Sequence, residues 1–162
     1  MTRSLTGPDQ ATAWTRRRLG CLGLLGLLAH VAAGAAKLAE PDAIAVRNVI
    51  EAQLEAFAAD DAERAFSYAS TGIQAQFGDA TTFMAVVRGG YPMVVRPAAV
   101  SFFLPQAEPG AAPAEANARQ NVQFRDREGR LWIATYVLER QAGAGWRISS
   151  CTVMADSGKS IA

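Results

Sequence analysis

The chain carries one histidine, His30, and two cysteines, Cys21 and Cys151. His30 and Cys21 both fall in the first 36 residues, a stretch with the marks of a removable leader. The remainder has no imidazole. A Ser-His-Asp or Cys-His apparatus and a histidine metal site are therefore excluded from it, and acid-base work falls to carboxylate, tyrosine or lysine. Cys151 stands alone in a strand pattern, where a buried, inert thiol is the expectation and no internal disulfide can form. The sequence implies no metal and no cofactor.

Two kinds of chemistry remain. Tyr68 or Tyr136 as proton donor, with Asp60 or Glu139 as base, would suit an isomerase or hydrolyase. Alternatively, Gln53, Tyr91, Trp132 and Tyr136 would act as polar points in an apolar wall and bind a small, partly apolar ligand without transforming it. The residues alone do not name catalytic groups. Asp60-Asp61-Ala62-Glu63 has capping-box spacing, with Asp60 as cap, and that role accounts for the paired aspartates more simply than metal binding.

The elements that must position these groups follow from periodicity. Pro41-Asp42 opens a helix running to Ala59, with Asp42 as its cap. Val46, Ile50, Leu54 and Phe57 form one stripe, opposite Asn48, Glu51 and Glu55. Gln53 falls inside that stripe, so its amide either bonds a backbone group or lines a polar pocket. A short helix follows Asp61. After Ser70-Thr71-Gly72 the chain reads as irregular until Asp79, then as a helix from Ala80 to Arg88, capped by Asp79 and stopped by Gly89-Gly90. Tyr91 to Pro97 reads as extended because each residue before a proline avoids the helical region. Ala98–Leu104 and Asn121–Phe124 read as strands, with a proline- and alanine-rich connection between them.

Leu131–Arg140 and Trp146–Met154 form a hairpin around the five residues from Gln141 to Gly145. In its first strand Trp132, Ala134, Tyr136 and Leu138 face one way, and Leu131, Ile133, Thr135 and Val137 the other. Both sets are largely apolar. One face is expected to take the helices and the other a second copy of the chain, giving a homodimer through the sheet face. The fold class is α+β, with N-terminal helices on an antiparallel sheet of about four strands, in a single domain over residues 37–162.

Before it, Arg16-Arg17-Arg18 precede the uncharged run Leu19–Ala36, which ends in small residues. This reads as an export signal that resembles the twin-arginine type, with an uncleaved membrane anchor as the competing reading. The expected location is periplasmic or secreted, with membrane contact only through an unremoved leader. Without those 36 residues the chain has 12 basic and 14 acidic residues, so it offers nucleic acid no electrostatic attraction.

The run Gln53-Leu54-Glu55-Ala56-Phe57-Ala58-Ala59-Asp60-Asp61, the segment Ile73-Gln74-Ala75-Gln76-Phe77-Gly78, the turn Tyr91-Pro92, and the late Gly129-Arg130-Leu131-Trp132 and Gly145-Trp146-Arg147-Ile148 resemble the bacterial family known as domain of unknown function 4864. The resemblance spans nearly all of Ala43 to Met154. That family is similar in layout to the cone-shaped nuclear-transport-factor-two-like (SnoaL-like) superfamily, in which helices close over a strongly curved sheet. The superfamily holds ketosteroid isomerases, dehydratases, epoxide hydrolases, polyketide cyclases and non-catalytic members, so the resemblance implies a pocket more than a reaction. Its enzymes place an aspartate, or an aspartate-histidine pair, inside the cone. Here only Glu139 is a candidate inward carboxylate among the strands. A dimeric interaction domain of the cell envelope is a third reading.

Overall fold

A computed structural model describes residues 37–108 and 117–158. The leader expectation lies outside the described residues. Glu40–Ala58 forms helix α1, whose buried stripe is Val46, Ile50, Gln53, Ala56 and Phe57. Its N-cap is Ala39 rather than Asp42. Asp42 instead sits in the first turn, where it accepts from Trp146 Nε1 at 3.3 Å and pairs with Arg140. A carboxylate near the positive end of a helix is favoured electrostatically, and this one also ties that end to the late hairpin.

Helix α1 ends in a Schellman motif. The Asp60 amide donates to the Phe57 carbonyl at 3.2 Å and the Asp61 amide to that of Ala56 at 2.9 Å, with Asp60 at a φ of 58°. The expected cap moves by one residue, because Asp60 is spent on ending α1. Asp61 caps α2 (Ala62–Ser67) through Arg64 N at 3.0 Å.

The stretch expected to be irregular is a helix, α3 (Thr71–Phe77). Ser70 caps it, and Gly78 ends it with a φ of 80°. Asp79 caps α4 (Ala80–Gly90) as expected, accepting from Thr82 N at 2.8 Å and Thr82 Oγ1 at 2.9 Å. Pro92–Val95 coils into a single turn, α5, instead of extending. The pre-proline residues Tyr91 and Arg96 do leave the helical region, at φ/ψ of −134°/51° and −146°/71°. Between them Pro92 occupies the first helical position, where its missing N–H costs nothing.

The sheet has five strands, one more than expected: β1 (Ala99–Phe102), β2 (Gln106–Ala107), β3 (Asn117–Arg125), β4 (Leu131–Gln141) and β5 (Gly145–Ala155). All pairings are antiparallel, in the order β1-β3-β4-β5. The segment β2 shares the edge of β3 with β1. The strand expected over Asn121–Phe124 extends to nine residues and takes in part of the expected connection. The hairpin turn is shorter than expected, since Gln141 pairs with Gly145 and only Ala142–Ala144 are unpaired. Gly143, at a φ of 74° within the loop, and Gly145, at 73° where pairing resumes, supply the left-handed residues of this tight turn.

The helices cover one face of the sheet. Ala118, Val122 and Phe124 of β3, Ala134, Tyr136 and Leu138 of β4, and Ile148 of β5 are buried there against α1 and α4. Phe83 of α4 centres an aromatic cluster with Phe57, Phe66 and Phe77, ring centroids 5.3–6.0 Å apart. The opposite face is apolar mainly along β4. Leu131, Ile133 and Val137 are half-buried, but their cross-strand neighbours are Arg125, Gln123 and Arg119 on β3. Thr135 Oγ1 donates to Asn121 Oδ1 at 3.0 Å on this face, so the apolar strip stops at β3 and widens onto β5 at Met154, the partner of Ile133. No helix of the described residues is long and apolar enough to cross a membrane.

Candidate functional site

Two hydrogen bonds make a recess between helices and sheet. Ser70 N donates to the Ile148 carbonyl at 2.8 Å, and Ile148 N donates to that of Tyr68 at 2.9 Å. They pin the α2–α3 corner to the free edge of β5. Gln74 Nε2 braces that corner from within α3, donating to the Phe66 and Ala69 carbonyls at 3.2 and 3.0 Å. Behind the corner lies a cavity of about 180 Å³. Phe57, Ile73, Phe77, Phe83, Val87, Val94, Ile148 and Val153 give it an apolar wall, and Tyr91, 39% exposed, stands at its mouth with Val86.

Gln53, Tyr136 and Cys151 are the polar groups inside. Gln53 bonds a backbone group, its Nε2 donating to the Ala65 carbonyl at 3.1 Å, and the cavity its side chain also lines is apolar rather than polar. Tyr136 is buried on β4, directly across the ladder from Cys151 on β5. Burial, then the neighbouring thiol, holds the Tyr136 phenol well above its usual range. Cys151 is exposed, which corrects the expectation of a buried thiol. A register shift in the β4–β5 pairing falls at Val137/Leu138, and residues 150–152 of β5 beyond it are exposed. The apolar surroundings still push its thiol up, with the Tyr136 phenol partly offsetting the shift, so direct contact with water does not make it a thiolate at neutral pH.

Three of the four residues expected to bind a ligand, Gln53, Tyr91 and Tyr136, thus share one cavity. Trp132 does not join them. It lies at the far end of β4, and its indole Nε1 donates to Asp126 Oδ2 at 2.9 Å. The catalytic candidates are scattered. Asp60 forms ion pairs with Arg88 and Arg96 at 2.8 and 2.5 Å, and those hydrogen bonds hold its carboxyl below the usual range. Glu139 pairs with Asn117 on the opposite face of the sheet and accepts from Gln141 Nε2 at 2.8 Å. Tyr68 sits beside the Arg64 guanidinium. Among the described residues no carboxylate, lysine or arginine lines the cavity. Among the described residues no cluster of metal-binding side chains occurs.

Reading the sequence missed Ile73, Phe77 and Cys151 as wall residues. The four-residue spacing of Ile73 and Phe77 behind a serine is a helix signal, and the hairpin register sets Cys151 opposite Tyr136.

Residues 39–161 match the family described as domain of unknown function (DUF4864). The chain belongs to this family. No curated protein and no solved structure matches it.

Proposed function

We infer that this DUF4864 protein is an exported domain that binds a small, largely apolar molecule in the cavity between α1, α3, α4 and the β4–β5 hairpin. The observation that carries the reading is the wall itself: apolar nearly throughout, open at Tyr91, and provided with an amide, a neutral phenol and a neutral thiol but no charge. An apolar cavity of about 150 Å³ is enough to hold a benzene ring, so 180 Å³ suits a ligand of one ring with a single polar substituent. The α+β layout supports the likeness to the nuclear-transport-factor-two-like superfamily, whose pockets lie between helices and sheet. The arginine-headed apolar leader supports export.

The test is a titration with phenol, indole and cyclohexanol, followed by amide NMR shifts and melting temperature. Saturable shifts at Ile73, Val87 and Val153, abolished by the cavity-filling I73W, are the expected result. No shift and no rise in melting temperature with any of the three would defeat the reading.

The strip Leu131, Ile133 and Val137, with Met154 63% exposed beside Ile133 in the ladder, favours a homodimer through the outer sheet face as a second reading. A dimer mass in light scattering that reverts to monomer in I133K is its expected outcome, and a monomer mass for the unaltered chain overturns it.

A further inference from the structure

A second concavity, of about 370 Å³, lies on the other side of α5 from the apolar cavity, between the end of α1 and the β3–β4 turn. It is separate in both place and chemistry. Its floor is Pro92, Met93 and Val95, and four guanidiniums, Arg88, Arg96, Arg127 and Arg130, border it against three carboxylates, Asp60, Asp126 and Glu128.

The carboxylates are already occupied. Asp126 accepts from Trp132 Nε1 and from Arg130 Nε and N at 2.7–2.9 Å, and from Glu128 N at 3.1 Å. Glu128 pairs with Arg130. Asp60 serves two arginines at once. The cations are not used up. Arg88 spends one nitrogen on Asp60, and Arg127 has no hydrogen-bond or ion-pair partner among the described residues. A guanidinium has five N–H donors and a carboxylate only two oxygens, so the cleft keeps unspent donors and one excess positive charge.

Asp60 supplies an independent observation. It is the one non-glycine residue with positive φ among the described residues, at the position of the Schellman motif where glycine is usual. Glycine would make the same turn without side-chain strain. What aspartate adds is the carboxylate that draws Arg88 and Arg96 together at the cleft.

We propose that this cleft binds a small organic oxyanion, a carboxylate or phosphate ester whose charged end meets Arg88 and Arg127 and whose short apolar body lies on Met93. The volume falls in the range of small-molecule sites, and paired guanidiniums recognise planar or tetrahedral oxyanions through forked hydrogen bonds. The floor selects an organic ion over an inorganic one.

The experiment titrates the full chain with hexanoate, hexyl phosphate and inorganic phosphate at constant ionic strength, reading the Arg127 and Glu128 amides and the arginine Nε–H signals by NMR. Saturable binding of at least one organic ion is expected, at least fivefold tighter than that of phosphate. R127A, an exposed side chain without packing duties, is expected to weaken that binding at least fivefold. M93S should weaken the organic ions while leaving phosphate unchanged. Absence of saturable shifts, or an R127A titration identical to that of the unaltered protein, overturns the proposal. Binding of phosphate as tight as that of both organic ions overturns the assigned ligand class.

Discussion

Tyr136 and Cys151 face one another across the β4–β5 ladder at the wall of the apolar cavity, and both are held in their neutral forms. For each group the folded-state value lies above the unfolded one. The stability each contributes is therefore complete below its unfolded pKa and is lost as pH rises toward the folded value. For Cys151 that window opens at about 8.5 and closes at about 12. For Tyr136 it opens only at about 10. The melting temperature should accordingly fall from about pH 8.5 upward, and in C151S the fall should begin near pH 10. Alkylation by iodoacetamide at pH 7.5 should be at least ~10-fold slower than for a free thiol, since each unit of upward shift removes a factor of about ten in thiolate. Alkylation as fast as that of free cysteine would contradict the geometry.

Asp126 gives the opposite sign. Burial raises its carboxyl, but hydrogen bonds from Trp132 and from the side chain and backbone of Arg130, with the charge of Arg130, outweigh burial and leave it below the usual range. The turn shields the group, which is 7% exposed. Its contribution is present above about pH 3.9 and is lost as pH falls through the lower folded value. D126N should lower the melting temperature at pH 7 and make its decline in acid shallower. Some decline should remain, because Asp60 and Asp79 are also held below their usual range. Trp132 fluorescence should shift in D126N at neutral pH and in the unaltered protein only in acid. Identical acid profiles for the two proteins would refute the assignment.

Two glycines at the ends of neighbouring helices should respond oppositely to alanine. At Gly78 an added Cβ meets nothing within 4 Å, but the backbone sits at a φ of 80°, so G78A should cost about 1–3 kcal/mol from backbone strain alone. Gly89 also has open space, and it lies inside α4 with no positive φ. There alanine only narrows the unfolded ensemble, and G89A should gain about 0.4–1 kcal/mol. Urea unfolding of both variants checks the pair, and equal changes of the same sign would show that the α3 terminus is not held as described.

The stripe of α1, the Asp79 cap and the late hairpin were legible because each depends on contacts within a few residues. The α3 helix was not, since Ser70-Thr71-Gly72 has the composition of a breaker while Ser70 acts as a cap. At Tyr91–Pro97 the pre-proline rule holds at Tyr91 and Arg96 but does not govern the four residues between them, which coil into a turn. Gln53, Tyr91 and Tyr136 were legible as polar residues in apolar patterns, and these meet in the cavity. Trp132 fits the same pattern but lies apart from the cavity, because alternation gives the face of a strand and not the position along it. Its N–H is satisfied by Asp126, across a turn whose geometry no pattern rule supplies.

Gln53 carries the sharpest separation of structure from function. Its amide reaches from α1 to the Ala65 carbonyl in the last turn of α2, where helix carbonyls lack intrahelical partners. In a site only 3% exposed, the loss of that donor strands the acceptor. Q53L and Q53A should therefore each cost about 1–3 kcal/mol from the unpaired carbonyl. Q53A additionally enlarges the cavity and should be the less stable of the two. Ligand titration then divides the roles. Q53L keeps the side-chain volume but removes the amide oxygen, for which no donor exists among the described residues. If that oxygen receives the polar substituent of the ligand, Q53L should bind phenol at least ~10-fold more weakly, the scale of one lost hydrogen bond in a dry site, while cyclohexane is retained. Equal weakening for phenol and cyclohexane would assign Gln53 to the corner between α1 and α2 alone and leave Tyr136 as the polar anchor of the cavity.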